Sequence, residues 1–313
     1  MADPRPILKP RALPPNARIA LVAPASSAQP DRIANGIANL QARGFQVIPA
    51  THANGKHAPY FSASTQNRLR DLTGAFINPD IDAIFCIRGG YGSNYLLPYL
   101  PLSQIQTHPR PFLAYSDLTA IQTYLLDQTG LVAFHGPLVA GDFDRPNGID
   151  EASFHAALTG GLVHAGPEHG LRTLRPGIAN GTIYGGCLSI LTASLGTPYA
   201  PQTEGKLLFL EDVAARPYQV DRMLRQLILA GKFQGVQGFI FGEMLDCVSP
   251  GADPNLIEQV ILDVLADFPV PIAFGLRSGH VSHGNVTLPF GIQAELRLES
   301  TPALHYIEPA VLP

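Results

Sequence analysis

The 313-residue sequence is poor in the residue types that mark several classes of protein. Its three cysteines, Cys86, Cys187 and Cys247, are far apart, odd in number and without CxxC spacing. A disulfide framework or a cysteine-based zinc site is therefore not expected, and the composition fits a reducing compartment. The metal-binding spacing HExxH is also missing. We therefore predict that the protein needs no metal and no other cofactor.

Charge is scarce as well. Charged residues make up 15% of the chain, the formal net charge is -4, and no run of Lys or Arg occurs, which argues against nucleic acid as the main partner. No apolar run approaches membrane length, and the first six residues, MADPRP, lack the apolar core of a secretion signal. We expect no membrane partner and a cytoplasmic location. Apolar residues, at 46%, suffice for a large core.

The first half of the chain alternates short apolar segments with amphipathic helical patterns. The predicted strands cover residues 18–23, 45–49, 81–87, 112–115 and 131–135. Such alternation predicts a parallel sheet with helices on both faces. The expected fold is therefore α/β, with an N-terminal three-layer domain of the flavodoxin-like or class I glutamine amidotransferase-like type.

The second half has a different pattern. Glycine and proline crowd the segment around residues 161–181, which we predict to be a linker between an N-terminal domain, 1–160, and a C-terminal domain, 182–313. Helical patterns follow, but the end of the chain has short apolar segments without helices between them, at 286–288, 293–298 and 304–307. This favours a smaller, mixed, β-rich α+β second domain.

One stretch combines the end of a strand with the start of a helix. The apolar run 111–115 stops at Ser116, and a helical pattern follows at once. A serine on a sharp strand-to-helix turn exposes its hydroxyl group, and the next backbone N–H can stabilise an oxyanion. Taken alone, the commoner interpretation of Ser116 is a helix N-cap, with Asp117 in the first helical turn.

A serine nucleophile needs a base, and the base needs a group that orients it. His280 follows a predicted strand, in the segment GLRSGH, and Glu211 ends another apolar strand. His283 is the nearest competitor for the base. Asp212 competes with Glu211, but adjoining residues of a strand face opposite ways.

A glycine-rich loop, RGGYG at 88–92, follows the predicted strand 81–87. Sites in parallel sheets lie at the carboxyl ends of the strands, so this loop and Ser116 should share one edge. Gly90 would let the backbone reach a reacting carbonyl with no side chain in the way. A plain tight turn and a phosphate-binding loop are the alternatives, although the spacing GxxxxGK[ST] is missing.

Together these motifs resemble the LD-carboxypeptidases (muramoyltetrapeptide carboxypeptidases), a family of serine peptidases. The matching pieces are VAPAS at 22–26, RGGYG at 88–92, YSDLT at 115–119, HGP at 135–137, GG at 185–186, LEDV at 210–213, DRML at 221–224, GH at 279–280, Asn285 and LPFG at 288–291. Single pieces are weak, but their order and their spread over most of the chain are specific.

The resemblance implies roles for particular residues. Ser116 matches the nucleophile of the family, Glu211 the acid and His280 the base, and the backbone N–H groups of Gly90 and Asp117 match its oxyanion hole. Because Ser116 belongs to the first predicted domain and the other two to the second, the site is expected in the cleft between them. Candidates for substrate binding are Arg88, Gly89, Tyr91, Gly186 and Cys187.

The resemblance also implies an activity. Family members hydrolyse the amide between an L-configured centre and a terminal D-amino acid, releasing D-alanine from murein tetrapeptides in peptidoglycan recycling. The expected partner is a murein peptide, and the expected assembly is a homodimer. Two positions depart from the family pattern: Ala114 stands where glycine is usual, and Cys187 stands where asparagine is common. The second departure bears on the choice of substrate more than on the chemistry.

Two alternatives remain at this point. Microcin-immunity relatives hydrolyse aminoacyl-nucleotide conjugates and need an aromatic platform for the nucleobase; the chain has no tryptophan, although tyrosine and phenylalanine are available. The alternative of another class is a non-catalytic two-domain protein that closes over a small ligand. It predicts that Ser116, Glu211 and His280 lie outside mutual hydrogen-bonding reach.

Overall fold

The computed structural model describes residues 6–313, which form two β-sheets with helices packed against them. Five strands of the first sheet come from the first half of the chain: β1 (Arg18–Val22), β2 (Gln46–Pro49), β3 (Ala83–Cys86), β4 (Phe112–Ala114) and β5 (Ala133–His135). All their pairings are parallel, in the order β2-β1-β3-β4-β5. This is the flavodoxin-like order, and the predicted parallel sheet is confirmed.

The helices of this half connect successive strands: α1 (Pro30–Ala42), α2 (Thr65–Ile77), α3 (Leu102–Thr107), α4 (Thr119–Thr129) and α5 (Glu151–Thr159). Local sequence sets several of their ends. The Ser64 side chain caps α2 by accepting a hydrogen bond from the Asn67 N–H at 3.3 Å. Gly130, at a φ of 77°, ends α4 in the left-handed conformation that favours glycine.

The second sheet has eight strands: β6 (His164–Ala165), β7 (Arg172–Arg175), β8 (Ile178–Cys187), β9 (Lys206–Glu211), β10 (Gly238–Gly242), β11 (Ile272–Leu276), β13 (Gln293–Arg297) and β14 (Ala303–Tyr306). Its centre, β8-β9-β10-β11, is parallel, and its outer strands pair antiparallel. Three helices belong to this part: α6 (Leu188–Ala193), α7 (Pro217–Leu229) and α8 (Leu256–Val264). The mixed, β-rich second part is thus as predicted.

Two details differ from the expectations. Strand β12 (Leu288–Phe290) pairs antiparallel with β5 and so extends the first sheet, not the second. Its position at the edge suits Pro289, which has no N–H to donate to a further strand. The predicted linker 161–181 also contains two short strands of the second sheet, because its glycines and prolines separate edge strands instead of leaving the segment irregular. The bounds of the two domains stay a prediction.

The two sheets share one hydrophobic core. A single cluster of buried residues includes Phe134 from β5, Phe209 from β9 and Phe290 from β12. The packing is therefore continuous from the first sheet through β12 to the second sheet. Within residues 6–313, no helix is long and apolar enough to cross a membrane.

The position of β12 leads to a prediction about stability. Leu288→Ala should lower the free energy of unfolding by about 2–5 kcal/mol, because Leu288 is fully buried where β12 meets β5. The matched control is Leu229→Ala, at a residue that is 80% exposed, which should change stability by less than about 0.5 kcal/mol. Urea unfolding followed by circular dichroism measures both variants. Equal midpoints for the two would contradict the assigned role of β12.

Candidate active site

Ser116 lies on a sharp turn between β4 and α4. Its φ is +66°, a left-handed conformation that costs energy for a residue with a side chain and often marks a functional site. An N-cap residue has an extended backbone and accepts a hydrogen bond from the helix through its side chain. Ser116 does neither: no residue in the range 6–313 donates to its hydroxyl. Its geometry is that of a half-buried elbow between a strand and a helix.

Asp117 connects this elbow to the neighbouring loop. Its carboxylate accepts a hydrogen bond from the Ser93 N–H at 2.8 Å, and the Ser93 hydroxyl donates to the Asp117 carbonyl at 2.7 Å. Burial raises the pKa of Asp117, while these hydrogen bonds oppose the shift. The side chain thus ties two loops together and does not cap α4. The Asp117 N–H has no acceptor within the described part of the chain.

The glycine-rich loop packs directly on the elbow. A Cβ atom at Gly89 would lie 2.7 Å from the Ser116 Cβ and 2.9 Å from its Oγ, closer than side chains approach one another. Gly90 has a φ of +94° and an exposed position, and its N–H meets no acceptor among residues 6–313. Only glycines allow the two backbones to approach this closely.

Glu211 and His280 form a buried pair. The His280 Nδ1 lies 2.7 Å from the Glu211 Oε2, and the backbone N–H of His280 donates to the same oxygen at 3.1 Å. The Glu211 side chain is fully buried. Gly279 and Gly242 enclose it, since a Cβ atom at either position would come within 2.6 Å of Glu211. The carboxylate at the end of β9 therefore has little freedom to move.

The two partners shift each other's pKa. Burial by itself would lower the pKa of His280, but the charge of Glu211 and the hydrogen bond outweigh it, so the pKa is raised. Burial would likewise raise the pKa of Glu211, but the charge and hydrogen bonds of His280 bring it below its usual value. Both shifts favour an ionised carboxylate beside an imidazole that readily holds a proton.

The pair lies next to the serine elbow although it comes from the other sheet. The rings of His280 and Tyr115 meet edge to face, with centroids 5.0 Å apart, and Tyr115 immediately precedes Ser116. Ser116 and His280 are not hydrogen-bonded to each other, and such contacts are often long in unliganded enzymes. The non-catalytic alternative expects Ser116, Glu211 and His280 to lie outside mutual hydrogen-bonding reach; Glu211 and His280 are hydrogen-bonded against this expectation, whereas Ser116 is bonded to neither.

Asp212 and His283, the competitors for the acid and the base, have other hydrogen-bonding partners. Asp212 accepts a hydrogen bond from the Ser189 N–H at 2.8 Å, at the start of α6, and makes none with His280. His283 is exposed, and its Nδ1 contacts the hydroxyl of Ser282 at 3.0 Å. Neither side chain lies in the Glu211–His280 pair.

The candidates for substrate binding fall into two groups. Arg88 and Tyr91 are exposed beside the glycine-rich loop, where Arg88 donates a hydrogen bond to the Ser27 carbonyl at 2.6 Å. Gly186 and Cys187 instead pack on the start of α4: the Cys187 N–H donates to the Thr119 Oγ1 at 3.1 Å. Burial raises the pKa of the Cys187 thiol well above its usual value, so it fits a small buried residue and not a second nucleophile.

His135 had no role assigned from the sequence, although the HGP motif at a strand end contained it. Its ring is fully buried among Tyr115, Phe209 and Phe290, with centroid separations of 5.9, 5.1 and 5.2 Å. Burial lowers the pKa of His135 to about 4, so the ring is neutral at physiological pH. It packs against Tyr115, the residue that precedes Ser116.

Comparisons with known proteins give a consistent assignment. Residues 19–136 match the family model of the LD-carboxypeptidase N-terminal domain, and residues 180–296 match that of the C-terminal domain. A probable murein peptide carboxypeptidase of Bacillus subtilis is 34% identical over 92% of this chain and 91% of its own length. A murein tetrapeptide carboxypeptidase of Pseudomonas aeruginosa is 31% identical over 90% of this chain and 94% of its own.

Solved structures share the fold over almost the whole chain. Muramoyltetrapeptide carboxypeptidase from Oxalobacter formigenes has a TM-score of 0.81 at 27% identity, covering 93% of this chain and 98% of that one. The microcin C7 self-immunity protein MccF has a TM-score of 0.89 at 26% identity, covering 97% and 100%. With domain models matched in both halves and relatives aligned along most of the sequence, the chain belongs to the LD-carboxypeptidase family of enzymes.

Proposed function

We propose that the protein is a serine carboxypeptidase that hydrolyses the L,D-amide bond and so releases terminal D-alanine from murein tetrapeptides. The observation that carries this proposal is the Glu211–His280 pair beside the sharp turn at Ser116. The names of the Bacillus and Pseudomonas relatives support a murein peptide as the substrate.

In the proposed mechanism, Ser116 attacks the carbonyl carbon while His280 takes its proton. Glu211 binds the Nδ1 of His280, which leaves the Nε2 for the serine hydroxyl. The unpaired N–H groups of Gly90 and Asp117 stabilise the oxyanion that forms. His280 then protonates the leaving amine, D-alanine departs, and water hydrolyses the acyl-enzyme by the same steps.

The roles proposed for Glu211 and His280 follow from the electrostatics of the pair. A buried carboxylate without a partner would be costly, and a protonated His280 offsets its charge. The ionised Glu211 therefore favours the imidazolium form of His280, which is the form that exists after proton transfer from Ser116. We also propose that the nucleophile belongs to an N-terminal domain, 1–160, and the acid and base to a C-terminal domain, 182–313.

The first test is release of D-alanine from defined muropeptides of tri-, tetra- and pentapeptide length. We expect release from the tetrapeptide and a loss of about 10³-fold or more in kcat for Ser116→Ala, because the nucleophile is gone. Ser103→Ala, an exposed serine on α3, is the matched control and should keep full activity. A Ser116→Ala variant as active as the wild type would refute the mechanism.

The second prediction concerns pH. The base must be neutral to accept a proton, so kcat/KM should fall at low pH as His280 becomes protonated. Because the negative charge of Glu211 raises the pKa of His280, Glu211→Gln should lower this pKa and move the acid limb to lower pH, with a reduced kcat. The profile from about pH 5 to 9 measures the shift.

The control for the pH profile is Glu308→Gln, which removes a surface ion pair with Lys9. It should leave both the rate and the acid limb unchanged. An acid limb that stays in place in Glu211→Gln would mean that His280 is not the base.

A second candidate function is hydrolysis of aminoacyl- or peptidyl-nucleotide conjugates. MccF of Escherichia coli is 29% identical over 89% of this chain, and MccF has been solved with glutamyl sulfamoyl guanosine. One observation favours this candidate: Tyr60, Tyr91 and Tyr95 are exposed together beside the glycine-rich loop, with ring centroids 5.6 to 6.1 Å apart. Such a cluster offers a stacking surface without tryptophan.

Turnover of the tetrapeptide and of an aminoacyl sulfamoyl adenylate, measured side by side, separates the two candidates. We expect the tetrapeptide to have the higher kcat/KM by at least about tenfold, and Tyr91→Ala to affect it little. The reverse preference, lost in Tyr91→Ala but kept in the control Tyr218→Ala at an exposed tyrosine on α7, would favour the nucleotide conjugate.

A further inference from the structure

A buried acidic residue lies behind the candidate site and has no role in the mechanism above. Asp142 is in a π-helical turn, Val139–Phe143, that follows β5. It is 1% exposed, and its Oδ2 accepts a hydrogen bond from the Leu138 N–H at 2.9 Å. A buried carboxylate needs a charged or hydrogen-bonding partner, and here the partner is Arg145.

Arg145 reaches from the first half of the chain to the loop that carries His280. Its Nη2 donates to the Asp142 Oδ1 at 3.0 Å and to the Val281 carbonyl at 3.0 Å, and its Nη1 donates to the Ser282 carbonyl at 3.2 Å. Val281 and Ser282 immediately follow His280. One guanidinium group thus joins a buried carboxylate of one chain segment to two backbone carbonyls of another.

The rest of the loop that carries His280 is held by hydrogen bonds within the loop and by backbone hydrogen bonds to the segment that contains Arg145. The Asn285 side chain accepts from the Gly279 N–H and donates to the Gly279 carbonyl, both at 3.0 Å. Backbone hydrogen bonds join Gly284 to Asn147 at 2.8 Å and Asn285 to Gly148 at 3.0 Å. The loop 279–285 is therefore a compact unit docked on residues 142–148.

We propose that Arg145, held in place by Asp142, is a positioning residue that fixes His280 relative to Ser116. This inference rests on the proposed function, in which His280 is the base for Ser116. Glu211 and Glu243 attach the loop to the second sheet only: the Glu243 Oε2 accepts from the Ser282 N–H at 2.9 Å. Arg145, together with the backbone hydrogen bonds of Gly284 and Asn285, attaches it to the segment 142–148, which follows β5 of the sheet that carries the nucleophile.

The chemistry of the side chain explains the choice of arginine. A guanidinium group has five donors in a fixed plane and can span three oxygens, whereas an ammonium group is a compact point charge. The spacing of base and nucleophile matters because a misplacement of about 1 Å can cost on the order of 10² in rate. Loss of the Arg145 hydrogen bonds to the loop should therefore slow the proton transfer from Ser116 to His280 and leave substrate binding unchanged.

The decisive variant is Arg145→Lys, which keeps a cation for the buried Asp142 but cannot hold both carbonyls. We expect kcat on the tetrapeptide to fall by about 10- to 100-fold with KM changed by less than about twofold. The control is Arg32→Lys: Arg32 pairs with Asp144 on the same segment but donates no hydrogen bond to the loop 279–285. It should behave as the wild type.

A second readout needs no peptide binding. The rate at which a small fluorophosphonate labels Ser116 should fall in Arg145→Lys by the same factor as kcat, at equal folded fraction by circular dichroism. The inference is overturned by wild-type labelling and kcat, by a loss confined to KM, or by a loss that only follows the folded fraction.

The same experiment separates this inference from the proposed function. If the wild type is labelled at Ser116 and cleaves the tetrapeptide while Arg145→Lys does so equally fast, only the positioning role is wrong. If the wild type is not labelled and Ser116→Ala still cleaves the substrate, the proposed function fails and the positioning role fails with it.

Discussion

The buried contact between Glu211 and His280 is the constraint around which this site is built. A carboxylate without solvent needs polar partners at close range, and His280 supplies two hydrogen bonds to the Glu211 Oε2, from its ring and from its backbone N–H. The surroundings follow from that requirement. Glycines at 242 and 279 leave room for the carboxylate, and the loop after β11 folds back so that the imidazole reaches it.

This constraint also explains why the two halves of the molecule are joined so closely. Glu211 and His280 come from the second sheet, whereas the elbow at Ser116 ends a strand of the first. A site divided in this way works only if the sheets keep a fixed relation. The shared core and the antiparallel pairing of β12 with β5 provide this fixed relation. The hydrogen bond from Arg145 to the Val281 carbonyl adds a further connection.

Much of the fold and of the candidate site could be predicted from the sequence, and there are physical reasons why the rest could not. The alternation of apolar strands with helices gives the parallel first sheet, and residues at strand ends, ordered as in the family, point to Ser116, Glu211 and His280. The apolar segment 286–288 predicts a strand that the structure places at 288–290, but it does not show which sheet the strand joins. Arg145 could not be found either, since its partners lie far away in sequence and no local pattern marks them.

The edge position of β12 has a consequence for synthesis of the chain. The ribosome completes β1 to β5 long before Phe290 emerges, so β5 remains an open sheet edge while strands β6 to β11 of the second sheet are being made. Unpaired edges are templates for pairing with other chains. In the nascent first half, the edge of β5 is therefore open to such pairing until β12 covers it.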